Sequence, residues 1–419
     1  MGVGVRLVLS VLCGAVAAVS LAGAATHAQP TPAAQDPVEA LKARLASGAL
    51  QLEHRPDKGG YLPALLKALD VPVDSQVLVF SKTSLQAPAI GPATPRAVYF
   101  NDEVTVGEVP GGQLIELISV DADGHIAFHT LATAPSPAPR FEVEGMLCVA
   151  CHGAVNRWAP GMIVADVIPQ EDGAPLFVTI ERLFNLTDST TPFEHRWGGW
   201  YVSGRTGPMR HNGNVRAAPE TPGALDPQAG LNRIDLSPFF DPKPYLAADS
   251  DVVALMTLEH QVGALNRIWK LQAQADPAST VAERQPTPEE LDEAIEDLAT
   301  YLVGAREAPL PGPVEGVSSF TRTFPARAPK DGRGRGLKDF DLQTRLFRYP
   351  LSYMIYSRAF DAIAPSVRER VYRRLYDILS GADASPAFAA LPAERRGAAI
   401  EILAATKPGL PDFWKIPAI

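Results

Sequence analysis

Cysteine is scarce in this chain, with three in 419 residues, which excludes the disulfide-stapled scaffold of small secreted domains. Charge is also sparse, at 20% Asp, Glu, Lys and Arg, yet hydrophobic residues reach 46%, far too many for a disordered chain. A basic excess is missing: the net charge is −9, the reverse of a nucleic-acid binder's footprint. Beyond residue 25 there is no apolar run of the length that spans a bilayer as a helix, so no membrane span is expected in the mature chain. There is no internal repeat, and no nucleophile elbow, phosphate loop or zinc-protease helix, so a separate hydrolytic site is not expected. Proline, by contrast, is abundant. The 39 prolines exceed the usual usage of about 5% and point to many loops and short elements rather than a simple helical bundle. The length suits two or three domains of roughly 100–200 residues each.

The first residues have the make-up of an export signal. Arg6 supplies the positive start, residues 7–25 carry no charge, and Thr26-His27-Ala28 places small residues before Gln29. Residues 1–28 are therefore expected to be removed, taking Cys13 with them and leaving a periplasmic protein. Residues 29–37 read as a Pro/Ala-rich linker.

The mature chain divides into two regions. Over 38–245, short helical patterns at 38–45 and 61–69 are followed by β-runs at 76–80, 97–100, 104–109, 114–120 and 125–131, with Gly111-Gly112 and Asp123-Gly124 as hairpin turns. Further β-runs are expected at 162–168, 176–180 and 200–203. Over 246–419 the periodicity turns helical. A helix is expected at 251–275 with Ser250 as its cap. A capping box at Thr287-Pro288-Glu289-Glu290 opens one to about Gly304. A second box at Ser366-Val367-Arg368-Glu369 opens one that stops at Gly381, and a last helix covers 393–406. Residues 311–336 read as a Pro/Gly/Arg-rich connection, and Asp339, Asp341, Arg345 and Arg348 as an ion-pair network tying a loop down. The fold class expected is α+β: a β-rich N-terminal half followed by a mainly α-helical C-terminal half.

One motif carries chemistry. Cys148-Val149-Ala150-Cys151-His152 is C-x-x-C-H, the attachment sequence of a c-type heme. Its spacing lets two thiols meet the two vinyl groups of one porphyrin while the adjacent histidine reaches the iron. A zinc half-site would need two more close ligands, a thioredoxin-like pair would not need the histidine, and a plain disulfide is the third alternative. The export signal favours heme. A single motif means a single heme, which excludes a multiheme wire, and its position deep in the chain excludes a small stand-alone cytochrome c. The β-rich half is thus expected to carry one covalent heme c, with Cys148, Cys151 and His152 as its attachment and metal ligand.

The sixth iron position is open to several side chains: His54, His125, His129, His195, His211 and His260, or Met146, Met162, Met209, Met256 and Met354. Met146 lies too near the cysteines to reach the opposite face, and Met162 follows His152 by a short path. Residues 193–214 gather two tryptophans, two histidines, a methionine and several arginines among glycines. Aromatic rings suit a porphyrin face and arginines suit its propionates, so this stretch is expected to wall the heme.

The chain resembles an uncharacterised family of exported bacterial cytochrome c-like proteins with a single C-x-x-C-H motif. The likeness rests on Pro95-Arg96-Ala97-Val98-Tyr99-Phe100-Asn101-Asp102-Glu103, on the heme motif, on Arg196-Trp197-Gly198-Gly199-Trp200-Tyr201-Val202, on Leu258-Glu259-His260-Gln261, and on residues 339–350. It covers most of the chain from about 85 onward and implies the fold and the heme, but no reaction. Relatives carry a histidine where this chain has Thr206 and a methionine where it has Asn212, whereas His211 matches a family histidine. The resemblance therefore makes His211 the expected distal ligand and heme-binding residue. The function expected is one-electron transfer with an unidentified periplasmic redox partner. The alternatives are a periplasmic heme enzyme, peroxidase-like or another oxidoreductase with an open sixth position, and a heme-based sensor.

Overall fold

The structure, a computed structural model, describes residues 36–143, 145–153, 155–176, 185–217, 225–276, 278 and 284–414. The expected export signal, most of the linker, and all but the first residue of the β-run expected at 176–180 lie outside these residues. Among them the α+β class holds: an antiparallel sheet dominates the N-terminal half and helices the C-terminal half.

Two short helices come first, α1 (Pro37–Ala46) and α2 (Leu62–Ala68). Strands β1 (Val77–Val79), β2 (Arg96–Phe100), β3 (Val104–Glu108), β4 (Leu114–Val120), β5 (Ile126–Ala132) and β6 (Phe141–Val143) then pair as successive antiparallel neighbours. The chain returns with β9 (Trp200–Tyr201) beside β1, which completes seven strands. A separate pair, β7 (Ala165–Asp166) with β8 (Asn185–Leu186), is all that forms of the run expected at 162–168. Gly111 and Gly124 both have positive φ at the hairpin turns, where glycine avoids the Cβ penalty.

Period-two alternation gives the large sheet two different faces. Leu78, Tyr99, Val106, Leu117 and Leu131 point to one side and pack against α1 and α2 through Leu41, Leu62 and Leu65. Val77, Val79, Val98, Phe100 and Trp200 point to the other side and join a larger core built with the helical half. The centre of that core is α4 (Val252–Ala275), buried at nearly every position up to Leu265. It is followed by α5 (Pro288–Leu302), α6 (Phe320–Ala326), α7 (Arg358–Asp361), α8 (Pro365–Ser380) and α9 (Ala393–Thr406).

Helix ends differ in detail from the sequence expectation. The cap of α4 is Asp251, whose Oδ1 accepts from the amides of Val253 and Ala254 at 2.8 and 3.2 Å. Ser250 instead donates to the Tyr201 carbonyl at 2.6 Å and accepts from the Leu78 amide at 2.9 Å, tying the helix entry to the sheet. The Thr287–Glu290 capping box forms as expected. The one at Ser366 does not, because α8 already begins at Pro365 with Ala364 in the cap position; Gly381 ends it in the left-handed conformation. The stretch 311–336 is interrupted by α6. Asp341 accepts from Arg395 at 2.7 Å and Arg345 pairs with Glu307 at 2.9 Å, which fastens the following loop onto the helices.

Candidate functional site

The C-x-x-C-H motif forms α3 (Met146–His152), a helix of two turns that leaves β6 through Gly145. Cys148 and Cys151 are three residues apart, so a helix sets them on one side, and no disulfide joins them. His152 ends the helix. Its Nδ1 lies 2.6 Å from the carbonyl oxygen of Gly161. A carbonyl only accepts, so Nδ1 carries the proton and Nε2 keeps the lone pair for an electrophile. The half-buried ring lies against Phe128 of β5, with ring centroids 4.9 Å apart. Burial lowers its pKa below the ordinary imidazole value, and the Arg96 charge acts in the same direction.

The orienting carbonyl is itself held in place. The turn after His152 closes with the Gly161 amide on the His152 carbonyl at 3.0 Å. Asn156 accepts from the amides of Trp158 and Ala159 at 2.8 and 2.9 Å. Asn266 of α4 then clamps Met162 from both sides, accepting from its amide at 2.8 Å and donating to its carbonyl at 2.9 Å. A Cβ at Gly161 would stand 2.6 Å from the Asn266 Oδ1, so only glycine lets the clamp close.

Cys148, Cys151 and His152 share a cleft of about 230 Å³ with the inner sheet face and with Leu258 and Val262 of α4. Its walls are mostly apolar: Val79, Val98, Ile118, Phe128, Met162 and Trp200. Its polar members include a charged pair. Arg96 on β2 reaches across Gly107 on β3 to an ion pair with Glu116 on β4. A Cβ at Gly107 would meet the Arg96 guanidinium at 2.2 to 2.7 Å; glycine there lets the arginine lie flat on the sheet. Gln86 supports Glu116 at 3.3 Å, and the Nε of Arg96 is buried without a hydrogen-bond partner.

The cleft does not include His211. That histidine is fully buried beside Trp197, with ring centroids 5.0 Å apart, and its Nδ1 accepts from the Gly213 amide at 3.1 Å. Burial lowers its pKa to about 4. His260 stacks on Tyr301 in the helical core with its Nε2 2.7 Å from the Ser352 Oγ. His54 is bound to the Thr133 carbonyl at 2.8 Å, and His125 and His195 are exposed. His129 contributes to the cleft from β5, but its Nε2 is directed to Ser119 and Asp36 on the opposite sheet face, at 3.1 and 3.3 Å. Met209, Met256 and Met354 are core residues outside the cleft.

The aromatic stretch 193–214 also has a different task from the one expected of it. Only Trp200 lines the cleft, with its Nε1 donating to the Ala165 carbonyl at 3.0 Å. Arg196 is buried and fully engaged, with Glu259 at 3.2 Å and the carbonyls of Thr191 and Ser189 at 2.6 and 2.9 Å. The paired glycines serve packing: a Cβ at Gly198 would stand 2.1 Å from the Val167 carbonyl oxygen. Arg96 and Glu116 are the site residues the sequence reading overlooked. The signal for them was a charged residue at an inward position in each of two hydrophobic strands, with a glycine at the facing position of the strand between them.

Among the described residues no three His, Cys, Asp or Glu side chains are grouped to hold a metal ion, and no helix is long and apolar enough to cross a membrane. A porphyrin brings four nitrogens of its own and asks the protein for axial ligands only, so the donor set of α3 suits it: two thiols and one oriented imidazole beside an apolar wall. The chain matches no protein family, no curated protein and no solved structure.

Proposed function

We propose that the chain is an exported monoheme c-type cytochrome, with heme bound covalently through Cys148 and Cys151 and its iron held by His152. The observation that supports this reading best is the His152 Nδ1 contact to Gly161 at 2.6 Å. It presets the tautomer and ring plane that an axial ligand needs, in the residue that immediately follows two thiols one helical turn apart. A bound heme supplies a one-electron iron couple. The protein's own part is to fix the imidazole through Gly161, to keep water from one ring face through Phe128, Val98 and Trp200, and to set a charged pair in an otherwise apolar wall. The role that follows is one-electron redox work in the periplasm with an as yet unidentified partner.

The test is attachment. After denaturing electrophoresis, heme stain should stay with the full-length exported chain and be lost in Cys148→Ala and Cys151→Ala. Intact mass should show one heme on a chain beginning near Gln29. Heme that leaves the unmutated chain on denaturation would sink the reading.

A further inference from the structure

We propose that Arg96, braced by Glu116, forms the polar wall of a ligand-binding position on the heme iron, where a small anionic ligand binds and no histidine or methionine side chain that the structure describes takes its place. The inference rests on the covalent-heme reading and adds to it what the second face of the iron does.

Two independent observations carry it. The first is the whereabouts of the soft and imidazole ligands. Of those in the described residues, His54, His125, His195, His211, His260, Met209, Met256 and Met354 all lie outside the cleft. His129 is turned to the other sheet face by Asp36 and Ser119. Met162 does line the cleft, but it directly follows Gly161, whose carbonyl holds His152, and Asn266 fixes its backbone on both sides. That segment is committed to orienting His152. Among the described residues no lysine or tyrosine lines the cleft either.

The second observation is the charged pair itself. An arginine and a glutamate on the inner face of a sheet otherwise lined with Val79, Val98, Ile118 and Phe128 cost desolvation free energy, and the fold has made room for them by placing glycine at 107. Glu116 engages one end of the guanidinium and leaves the Nε as a buried donor with no partner. Arg96 lines the cleft, and a guanidinium in an apolar cleft is the arrangement that holds a small negatively charged ligand.

Fluoride binding to the ferric, heme-loaded full chain tests this, because fluoride ligates ferric heme and accepts hydrogen bonds but carries out no chemistry. The unmutated protein should be high-spin and bind fluoride. Arg96→Leu should weaken that binding by about tenfold or more, the usual worth of a charge-assisted hydrogen bond. Gly107→Ala keeps the charge but displaces the guanidinium, and should weaken it in the same direction. This second variant adds one methyl against the far end of a flexible side chain, so it tests the position of Arg96 in a folded protein. If the ferric iron is low-spin and takes no fluoride, a side chain occupies the position and the proposal falls while the heme reading stands. If both variants bind fluoride as the unmutated protein does but shift the midpoint potential, Arg96 faces a propionate and the proposal again falls. A chain without stainable heme would instead overturn the parent reading.

Discussion

At the scale of single residues, His211 separates sequence from structure most clearly. Its neighbours in the chain are aromatic and basic, which made it an attractive iron ligand, but those neighbours point elsewhere. Trp197 packs on the His211 ring, Arg196 is consumed by Glu259 and two carbonyls, and the imidazole is sealed in with its Nε2 lacking a partner. Burial disfavours the charged form and lowers its pKa from 6.5 to about 4. An unfolded chain therefore binds a proton on this residue that the folded chain refuses. The sign follows: its effect on stability is negligible above about pH 6.5 and becomes an increasing loss as pH falls toward 4, reaching roughly 3 kcal/mol at most. His211→Asn keeps an acceptor for the Gly213 amide and cannot titrate. The difference in urea-unfolding free energy between the two proteins should thus change across pH 6.5 to 4, while the visible spectrum of the proposed heme stays as it was. A spectrum that changes in the variant would put His211 back on the iron.

At the scale of elements, what was legible followed from periodicity, and what was not depended on contacts distant in sequence. Strands β2 to β5 and helices α5 and α9 lie close to where alternation and capping signals placed them, because each carries its own pattern. The cap of α4 was misplaced by one residue for a tertiary reason: Asp251 and Ser250 are both good caps by type, and only the Tyr201 carbonyl and Leu78 amide, which engage the serine, decide between them. The C-x-x-C-H motif was legible because its spacing is chemical. Its partners were not, since Gly161, Asn266, Arg96 and Glu116 come from four separate elements. Strand β6 escaped notice because three residues carry almost no periodic signal. Asp251 does more than cap: its Oδ2 also accepts from the amides of Val317 and Ser318, both at 2.8 Å, joining the start of α4 to the approach to α6. Asp251→Ala removes a cap worth about 1 kcal/mol and strands further donors worth about 1–3 kcal/mol. A loss of about 2–4 kcal/mol in urea unfolding is expected. Thr287→Ala, at the exposed box of α5, should lose only the cap's share of about 1 kcal/mol; equal losses in the two variants would mean the second pair of bonds contributes nothing.

For the whole molecule, the decisive feature is that the sheet and the helical half share a core. The inner face of the sheet presents Val77, Val98, Phe100 and Trp200, and the same cluster continues through α4 to Leu298, Phe360, Leu375 and Trp414. Helix α4 has no solvent side over most of its length; Val253, Leu255, Leu258, Val262 and Leu265 are all buried. Each such side chain contributes about 1.5–3 kcal/mol by leaving water, and opening either half would expose the other's share of that surface. The wall of the cleft at Cys148, Cys151 and His152 is built the same way, from the sheet on one side and Leu258, Val262 and the Asn266 clamp on the other. The change from strand to helix near residue 245 is therefore a boundary of secondary structure and not of cooperativity. Native-state hydrogen exchange provides the check. The slowest amides of β1 to β4 and those of α4 should open with one common free energy, equal to that of global unfolding. Helix α9, which packs mainly on α8, and the hairpin end at β6 are free to open earlier. If the sheet keeps its protection at a denaturant concentration where α4 has lost its own, the halves fold independently, and the shared core does not couple them.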